Sequence, residues 1–322
     1  MPLLPMSALV SLLACPACGG PLGGAVEALG CTSNDCHRVY PAVGSNSTPI
    51  LIDSDESIVD VSALLKAGAV SQISREAGGW LSRLITRITV HRNRTAERFV
   101  QQLAMDLIAE TKDRRPRLLI VGGGAVGNGI ESLYADPNLD LLAFDIYASE
   151  QCQFIADAHQ IPLPNRTVDG VLIQAVLEHV LNPQGVVDEI HRVLRPGGLV
   201  YADTPFMQQV HEGPYDFTRF TESGHRYLFR RFEVRSSGVA GGLGTQLHWS
   251  LIYFGRGIHR RVGQVFLLGF SWLHLLDGLL DPKAAVDGAS GVFFYGHSSA
   301  RSISPQEIVD YYSGGQGPRG LG

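Results

Sequence analysis

Three groups of residues in this chain have the types and spacing to do chemistry. Cys15 and Cys18 form a Cys-x2-Cys pair, and Cys31 and Cys36 form a Cys-x4-Cys pair that begins 13 residues after Cys18. Two such knuckles bring four thiolates around one zinc ion, and a site closed by four ligands has a structural role. A module this small has little core, so the metal would supply much of its folding energy. Gly122, Gly124 and Gly127 spell Gly-x-Gly-x-x-Gly directly after an apolar run at 118–121. Glycines there let backbone amides approach an adenosine cofactor, and Asp145, about 20 residues on, can accept hydrogen bonds from both ribose hydroxyls. The third group is the stretch 205–221, which crowds His211, Glu212, Tyr215, Asp216 and Arg219 together with Phe217 and Phe220. Acid, base and cation between aromatic walls suit a substrate pocket. Asp216 and Arg219 suit equally well an ion pair that pins the loop.

These groups act only if regular elements hold them. The glycine loop needs a strand before it and a helix after it; 117–121 reads as that strand and 128–135 as a short helix. Further strands are expected at 48–53, 139–146, 168–176, 198–205, 232–239 and 291–298. Helices are expected at 94–110, where Phe99, Val100, Leu103, Leu107 and Ile108 recur at helical spacing, and at 184–194 and 221–231, the last capped by Thr221; 148–158 reads as a helix with room for a short strand. The segment 244–281 reads as helical and apolar. Strands alternating with helices predict an α/β protein with a parallel, doubly wound sheet. Its ligand site must lie at the C-terminal ends of the strands. Glu178 and His179, after the strand at 168–176, therefore join His211 as candidate bases, with a hydrogen-bonded structural role as the alternative for His179.

The stretches 156–180 and 189–205, read with the glycine loop, carry a family resemblance. Residues 95–240 resemble the class I S-adenosylmethionine-dependent methyltransferases, the branch with an Asp-Ala-x-x-Ile-Pro-like segment. The resemblance implies a Rossmann-like, mostly parallel seven-stranded sheet. It also implies that Gly122, Gly124 and Gly127 shape the cofactor loop, that Asp145 holds the ribose and that Asp157 meets the adenine amino group. Ala158 would add a backbone contact, and Gln174 would lie near the methionine moiety. The chain departs from the family at Ile120, where many members carry an acidic residue for the methionine ammonium, and in an extra residue before Gly127. The cysteine stretch is similar to the small zinc-ribbon domain that partners tRNA and protein methyltransferases and that also occurs fused ahead of bacterial small-molecule methyltransferases. That likeness implies structural zinc on Cys15, Cys18, Cys31 and Cys36.

The expected organisation is a zinc ribbon at 1–53, a helical linker at 54–93, a methyltransferase domain at 94–300 with a helical insertion at 244–281 before the last strand, and a partly disordered tail at 301–322. The formal net charge of -5 argues against a protein that coats nucleic acid, and the ribbon offers Arg38 as its one cation. The apolar start before Cys15 is like a lipoprotein signal, but no Lys or Arg precedes it and Pro2 and Pro5 interrupt it. No run of about 20 apolar residues is uninterrupted. The expected location is the cytoplasm. The aromatic and aliphatic residues of 244–281, with Arg256, Arg260 and Arg261, offer a contact to the inner membrane face or to a second copy of the chain.

The leading expectation is an enzyme that moves a methyl group from S-adenosylmethionine to a small-molecule, sugar or lipid-linked acceptor, with O-methylation favoured. The strand at 168–176 does not lead into the Asn-Pro-Pro-Tyr type of motif that marks amine methylation. His211 is the expected general base, Asp216 and Arg219 position the acceptor, Tyr215 contributes to binding it, and His179 is a second catalytic candidate. Two alternatives stay open: an RNA methyltransferase with the ribbon as its RNA or partner handle, and a catalytically inactive scaffold.

Overall fold

The structure, a computed structural model, describes residues 3–67 and 93–317. Most of the expected linker at 54–93 and the end of the tail lie outside the described residues. The centre is a parallel run of five strands, β5 (Arg117–Val121), β6 (Asp140–Asp145), β7 (Phe154–Ala156), β8 (Val168–Gln174) and β9 (Leu194–Pro205). Two antiparallel strands, β10 (Phe232–Gly241) and β11 (Gly291–Ser298), complete one edge. Four short strands, β1 (Leu22–Gly23), β2 (Ala28–Cys31), β3 (Val39–Val43) and β4 (Thr48–Leu51), extend the other. The order is β1-β2-β3-β4-β7-β6-β5-β8-β9-β11-β10.

The central strands read as near-continuous apolar runs because both faces of the sheet are covered. Leu118 and Ile120 of β5 pack with Val100, Leu103 and Leu107 of helix α3 (Arg94–Glu110). Leu119 and Val121 face the other side, towards Val186, Val187 and Ile190 of helix α4 (Pro183–Val193). Chain order reverses between β5 and β8, so the crevice of a doubly wound sheet must open there.

Four expectations change. No α-helix follows the glycine loop; 122–132 runs through turns to a single 3-10 turn at Leu133–Ala135. Gly127 and Gly129 disfavour helix, and Gly129, at φ 92°, sits against the backbone of Asn93 and Glu97, where a Cβ would meet Glu97 N at 2.9 Å. Of the helix and short strand allowed at 148–158, the strand forms, as β7, whose three residues are all buried, and turns stand in place of the helix. The aromatic and β-branched pair Phe154–Ile155 fits that strand.

The expected boundary at 53 is not a gap between bodies. β4 pairs in parallel with β7, Ile50 opposite Ile155 and Leu51 opposite Ala156. The N-terminal helix α1 (Met6–Val10) sinks Leu9 into the main core beside Leu119 and Phe144, so this apolar start is part of the folded domain. The tail, up to 317, is docked rather than loose. Helix α9 (Pro305–Asp310) carries a Ser304/Glu307 capping box, the Tyr311 hydroxyl donates to Glu222, and the Gly315 amide donates to Asp287 at 2.8 Å. In chain order the remaining helices are α2 (Val61–Ala67), α5 (Glu222–Leu228), α6 (Leu243–Ile258), α7 (Arg260–Gly269) and α8 (Pro282–Gly288). Thr221 caps α5 as the sequence predicts.

Candidate active site

The C-terminal ends of β5 to β9 open into a cleft with two lobes, of about 440 Å³ and about 250 Å³. Val121, Gly122 and Ala175 line both, so the lobes meet at the strand reversal. Gly122 has φ 76°, and a Cβ there would stand 2.2 Å from the Val176 side chain. Ala175 is held at φ 52°, in the left-handed region that alanine rarely adopts, and its amide donates to the Asp203 carbonyl at 3.1 Å.

The smaller lobe gathers Asp145, Ile146, Tyr147, Asp157 and Ala158. The Gly124 amide donates to Asp145 Oδ2 at 2.8 Å and the Ile146 amide to Oδ1 at 2.7 Å, which fixes the carboxylate at the lobe's floor. A Cβ on Gly124 would fall 2.6 Å from that oxygen, so glycine is the residue the approach allows. Asp157 sits at the head of a 3-10 turn and accepts from the His159 amide at 2.9 Å and from His159 Nδ1 at 2.6 Å. Its other oxygen accepts from the Ser57 hydroxyl. Against the upward pull of burial, these bonds hold the Asp157 carboxyl below its ordinary value. Ile58, Val59 and Leu64, which follow the ribbon, form the lobe's outer wall.

The larger lobe is lined by Asn93, Gln174, Glu178, Asp203, Thr204, His211 and Thr245, among others. Asp203 accepts from Tyr201 at 3.0 Å, Gln174 at 3.1 Å and Asn93 at 3.3 Å. Burial outweighs these bonds and pushes its carboxyl up to about 6. Glu178 has no exposed surface, and neither of its carboxylate oxygens has a hydrogen-bond partner among the described residues. Burial, with the charges of Asp203 and Asp216, pushes it up to about 8. His179 Nε2 lies 3.6 Å and His211 Nε2 3.8 Å from Glu178 Oε1.

Asp216, Arg219 and Tyr215 are placed differently from the sequence expectation. Asp216 and Arg219 line neither lobe. The Arg219 guanidinium binds Asp216 and the carbonyls of Gln208, Gln209 and Thr218. The pair pins the loop, and the Arg219 guanidinium with its bonded neighbours holds the buried Asp216 carboxyl far below its usual range despite burial. Asp216 also accepts from the His211 amide at 2.9 Å, so it sets where His211 stands. Tyr215 lines the smaller lobe, not the larger. Sequence reasoning missed Asp203 and Asn93. The signal for Asp203 was an acid near the end of an otherwise apolar strand; Asn93 reads only as a helix cap.

In the ribbon, Cys15 and Cys36 Sγ are 3.8 Å apart, Cys18 and Cys31 Sγ 3.5 Å, and all four lie within 4.8 Å of one another. A tetrahedron with zinc–sulfur bonds of about 2.3 Å has edges of about 3.8 Å. The four thiols therefore fit zinc. His37 is not part of the cluster.

Residues 125–202 match a family model described as a methyltransferase domain. Over 120 residues the chain is 33% identical to the ubiquinone/menaquinone biosynthesis C-methyltransferase UbiE of Coxiella burnetii, a match that covers 35% of this chain and 44% of that one. The chain thus spans less than half the length of the curated relatives it matches. Among solved structures it is similar to a SAM-dependent methyltransferase from Archaeoglobus fulgidus, with TM-score 0.42, 13% identity, and 67% and 99% of the two chains covered. It is also similar to a chain in the complex between the Haloferax volcanii Trm112 methyltransferase activator and a methyltransferase, with TM-score 0.37, 15% identity, and 64% and 93% covered. Within the central sheet, residues 125–202 are thus the part of the chain that is similar to a methyltransferase domain.

Proposed function

We propose that this chain transfers the methyl group of S-adenosylmethionine to an ionisable hydroxyl on a largely apolar, small or lipid-linked acceptor. The observation that carries the reading is the meeting of two unlike lobes at Gly122 and Ala175. One is built to hold an adenosine; the other ends in an acid and an imidazole. When bound, S-adenosylmethionine supplies a methyl carbon made electrophilic by its sulfonium. Asp145 accepts from the ribose hydroxyls, and the floor at Ala156–Ala158 with Ile58 and Val59 takes the adenine. Asp203 stands in for the acid missing at Ile120 and faces the ammonium of the methionine part. The acceptor enters the larger lobe, and its hydroxyl meets Glu178, His179 and His211 at the seam of the two lobes, the groups placed to favour its ionised form. The cleft's walls fix its approach to the methyl carbon.

The insertion supports an apolar acceptor. α6 borders the larger lobe at Thr245 and is tied to the loop before His211: Tyr253 donates to the Val210 carbonyl at 2.9 Å and Gln209 to Ser250 at 3.0 Å. The insertion exposes Phe254 and Ile258 of α6, Val265 of α7, and Trp272, Leu275 and Leu279 after it, together with the exposed Arg256, Arg260 and Arg261. Apolar side chains rimmed by arginine suit an anionic lipid surface. No described helix is long and apolar enough to cross a membrane. An RNA acceptor is less well supported, because Arg38 is paired with Asp53 at 3.5 Å and with Asp55. A second reading, methylation at carbon, is favoured by the likeness to the C-methyltransferase of Coxiella burnetii. An ionised phenol or enol reacts at oxygen or at the adjacent carbon, and the same side chains would serve both.

The test is methyl transfer from labelled S-adenosylmethionine to long-chain phenols and lipid-linked sugars, with the product's C–O or C–C bond read by NMR. His211→Ala should lower turnover about 100-fold and leave S-adenosylhomocysteine affinity unchanged. Absence of both transfer and S-adenosylhomocysteine binding would leave the scaffold reading standing.

A further inference from the structure

The Glu178 carboxylate is fully buried, aimed into the larger lobe and unpartnered among the described residues. The two imidazoles beside it are oriented by their outer nitrogens. His179 Nδ1 lies 2.7 Å from the Tyr215 carbonyl. His211 Nδ1 lies 3.4 Å from the Gln209 carbonyl and 3.3 Å from Asp216 Oδ2. A carbonyl or carboxylate oxygen only accepts, so each Nδ1 is the donor and each Nε2 is the nitrogen turned towards Glu178. The two Nε2 atoms stand 3.6 and 3.8 Å from one Glu178 oxygen, too far for hydrogen bonds.

We propose that Glu178, His179 and His211 hold a divalent transition-metal ion in which the acceptor's hydroxyl oxygen completes the coordination. The three ligand atoms lie within 4.8 Å of one another. Metal–nitrogen and metal–oxygen bonds of about 2.0–2.2 Å give ligand edges of about 3.0–3.5 Å; the two edges at Glu178, 3.6 and 3.8 Å, need to close by less than about 1 Å, and the third is no wider than 4.8 Å. Two imidazoles and one carboxylate select a borderline ion rather than magnesium or calcium, and three protein ligands leave positions open. Nδ1–H bonds to carbonyl or carboxylate partners are the outer contacts that orient metal-binding histidines. The triad stands at the seam of the cleft: Glu178 and His211 line the larger lobe and His179 the smaller. A cation there binds and orients the acceptor oxygen and favours its ionised form. That consequence rests on the function proposed above; the cation site itself does not.

The test uses the full chain with its ribbon loaded with zinc, titrated with cobalt(II) and followed by visible absorption. One further equivalent should bind, with d–d bands of a nitrogen and oxygen site and no thiolate charge-transfer band. His179→Asn and His211→Asn should each weaken it at least tenfold, and Glu178→Gln should abolish it, with melting curves confirming that the variants fold. S-adenosylhomocysteine is titrated into the same samples. Cobalt taken up only with thiolate bands, or a second equivalent unchanged in all three variants, would overturn the cation site. Retained S-adenosylhomocysteine binding in that case would leave the methyl-transfer reading intact, while its loss in the parent protein would sink that reading separately.

Discussion

The two lobes of the cleft share three residues and differ in almost everything else. In the smaller, the acids already have partners: Asp145 is tied to two backbone amides and Asp157 to Ser57 and His159. In the larger, buried polar atoms stand without partners, among them both oxygens of Glu178, the amide oxygen of Gln174 and the hydroxyl of Thr204. The smaller lobe is a preformed socket in which the bonds from His159 and Ser57 hold the Asp157 carboxyl below its ordinary value despite burial. In the larger, buried carboxyls are pushed upwards and their lone pairs are left facing the cavity. Leaving buried polar groups unmade costs stability, and functional sites are where such a cost is carried. On the proposed function, the contrast separates holding a cofactor from acting on an acceptor.

The comparison breaks most sharply at Gly124. Gly124→Val should abolish S-adenosylhomocysteine binding, because the new side chain fills the space of Asp145 Oδ2 and Tyr147; calorimetry at millimolar ligand checks it. Glu178→Gln should separate the lobes: turnover falls about 100- to 1,000-fold while S-adenosylhomocysteine affinity stays within twofold. Equal losses in both quantities would erase the distinction. Chelation of zinc, or Cys18→Ser, should lower the melting temperature and weaken cofactor affinity roughly tenfold, because the ribbon's β4 is hydrogen-bonded to β7 and Ser57 reaches Asp157. Unchanged affinity after zinc loss would make the ribbon a passive appendage.

A smaller effect comes from pH. Burial raises the Asp203 carboxyl to about 6, so it is charged above that pH and neutral below. If its charge attracts the ammonium of the ligand, S-adenosylhomocysteine affinity is full at pH 7.5 and falls several-fold as pH drops through 6 towards 5. Asp203→Asn should bind more weakly and show no such slope. The smallest expected change is in Phe254→Asp, which should leave turnover on a water-soluble acceptor intact and lower binding to anionic vesicles several-fold. A switch in oligomeric state with no change in vesicle binding would reassign that face to a second copy.

The socket was largely legible in the sequence, because glycine spacing and a strand-end acid are local signals. Gly122, Gly124 and Asp145 converge as their spacing predicts. The helix expected after the loop was not, since Gly129 is fixed by contact with the distant Asn93 and Glu97. The acceptor lobe was legible only in pieces. His211 and His179 could be named, but Asp216 and Arg219 close on each other, a pairing that residue types leave undecided. Asp203 could be seen as an acid near the end of an apolar strand, but it gains meaning only when Asn93, 110 residues away, meets it. The ribbon's four thiols followed from spacing; their strand's fusion to β7 did not, because parallel pairing of two short apolar segments leaves no local mark.

The most direct measurement is calorimetric titration of the zinc-loaded chain with S-adenosylhomocysteine, parent against Asp145→Ala. The account predicts one equivalent bound by the parent and at least a 100-fold loss of affinity in the variant. Equal affinity in both, or no heat from the parent, would contradict it.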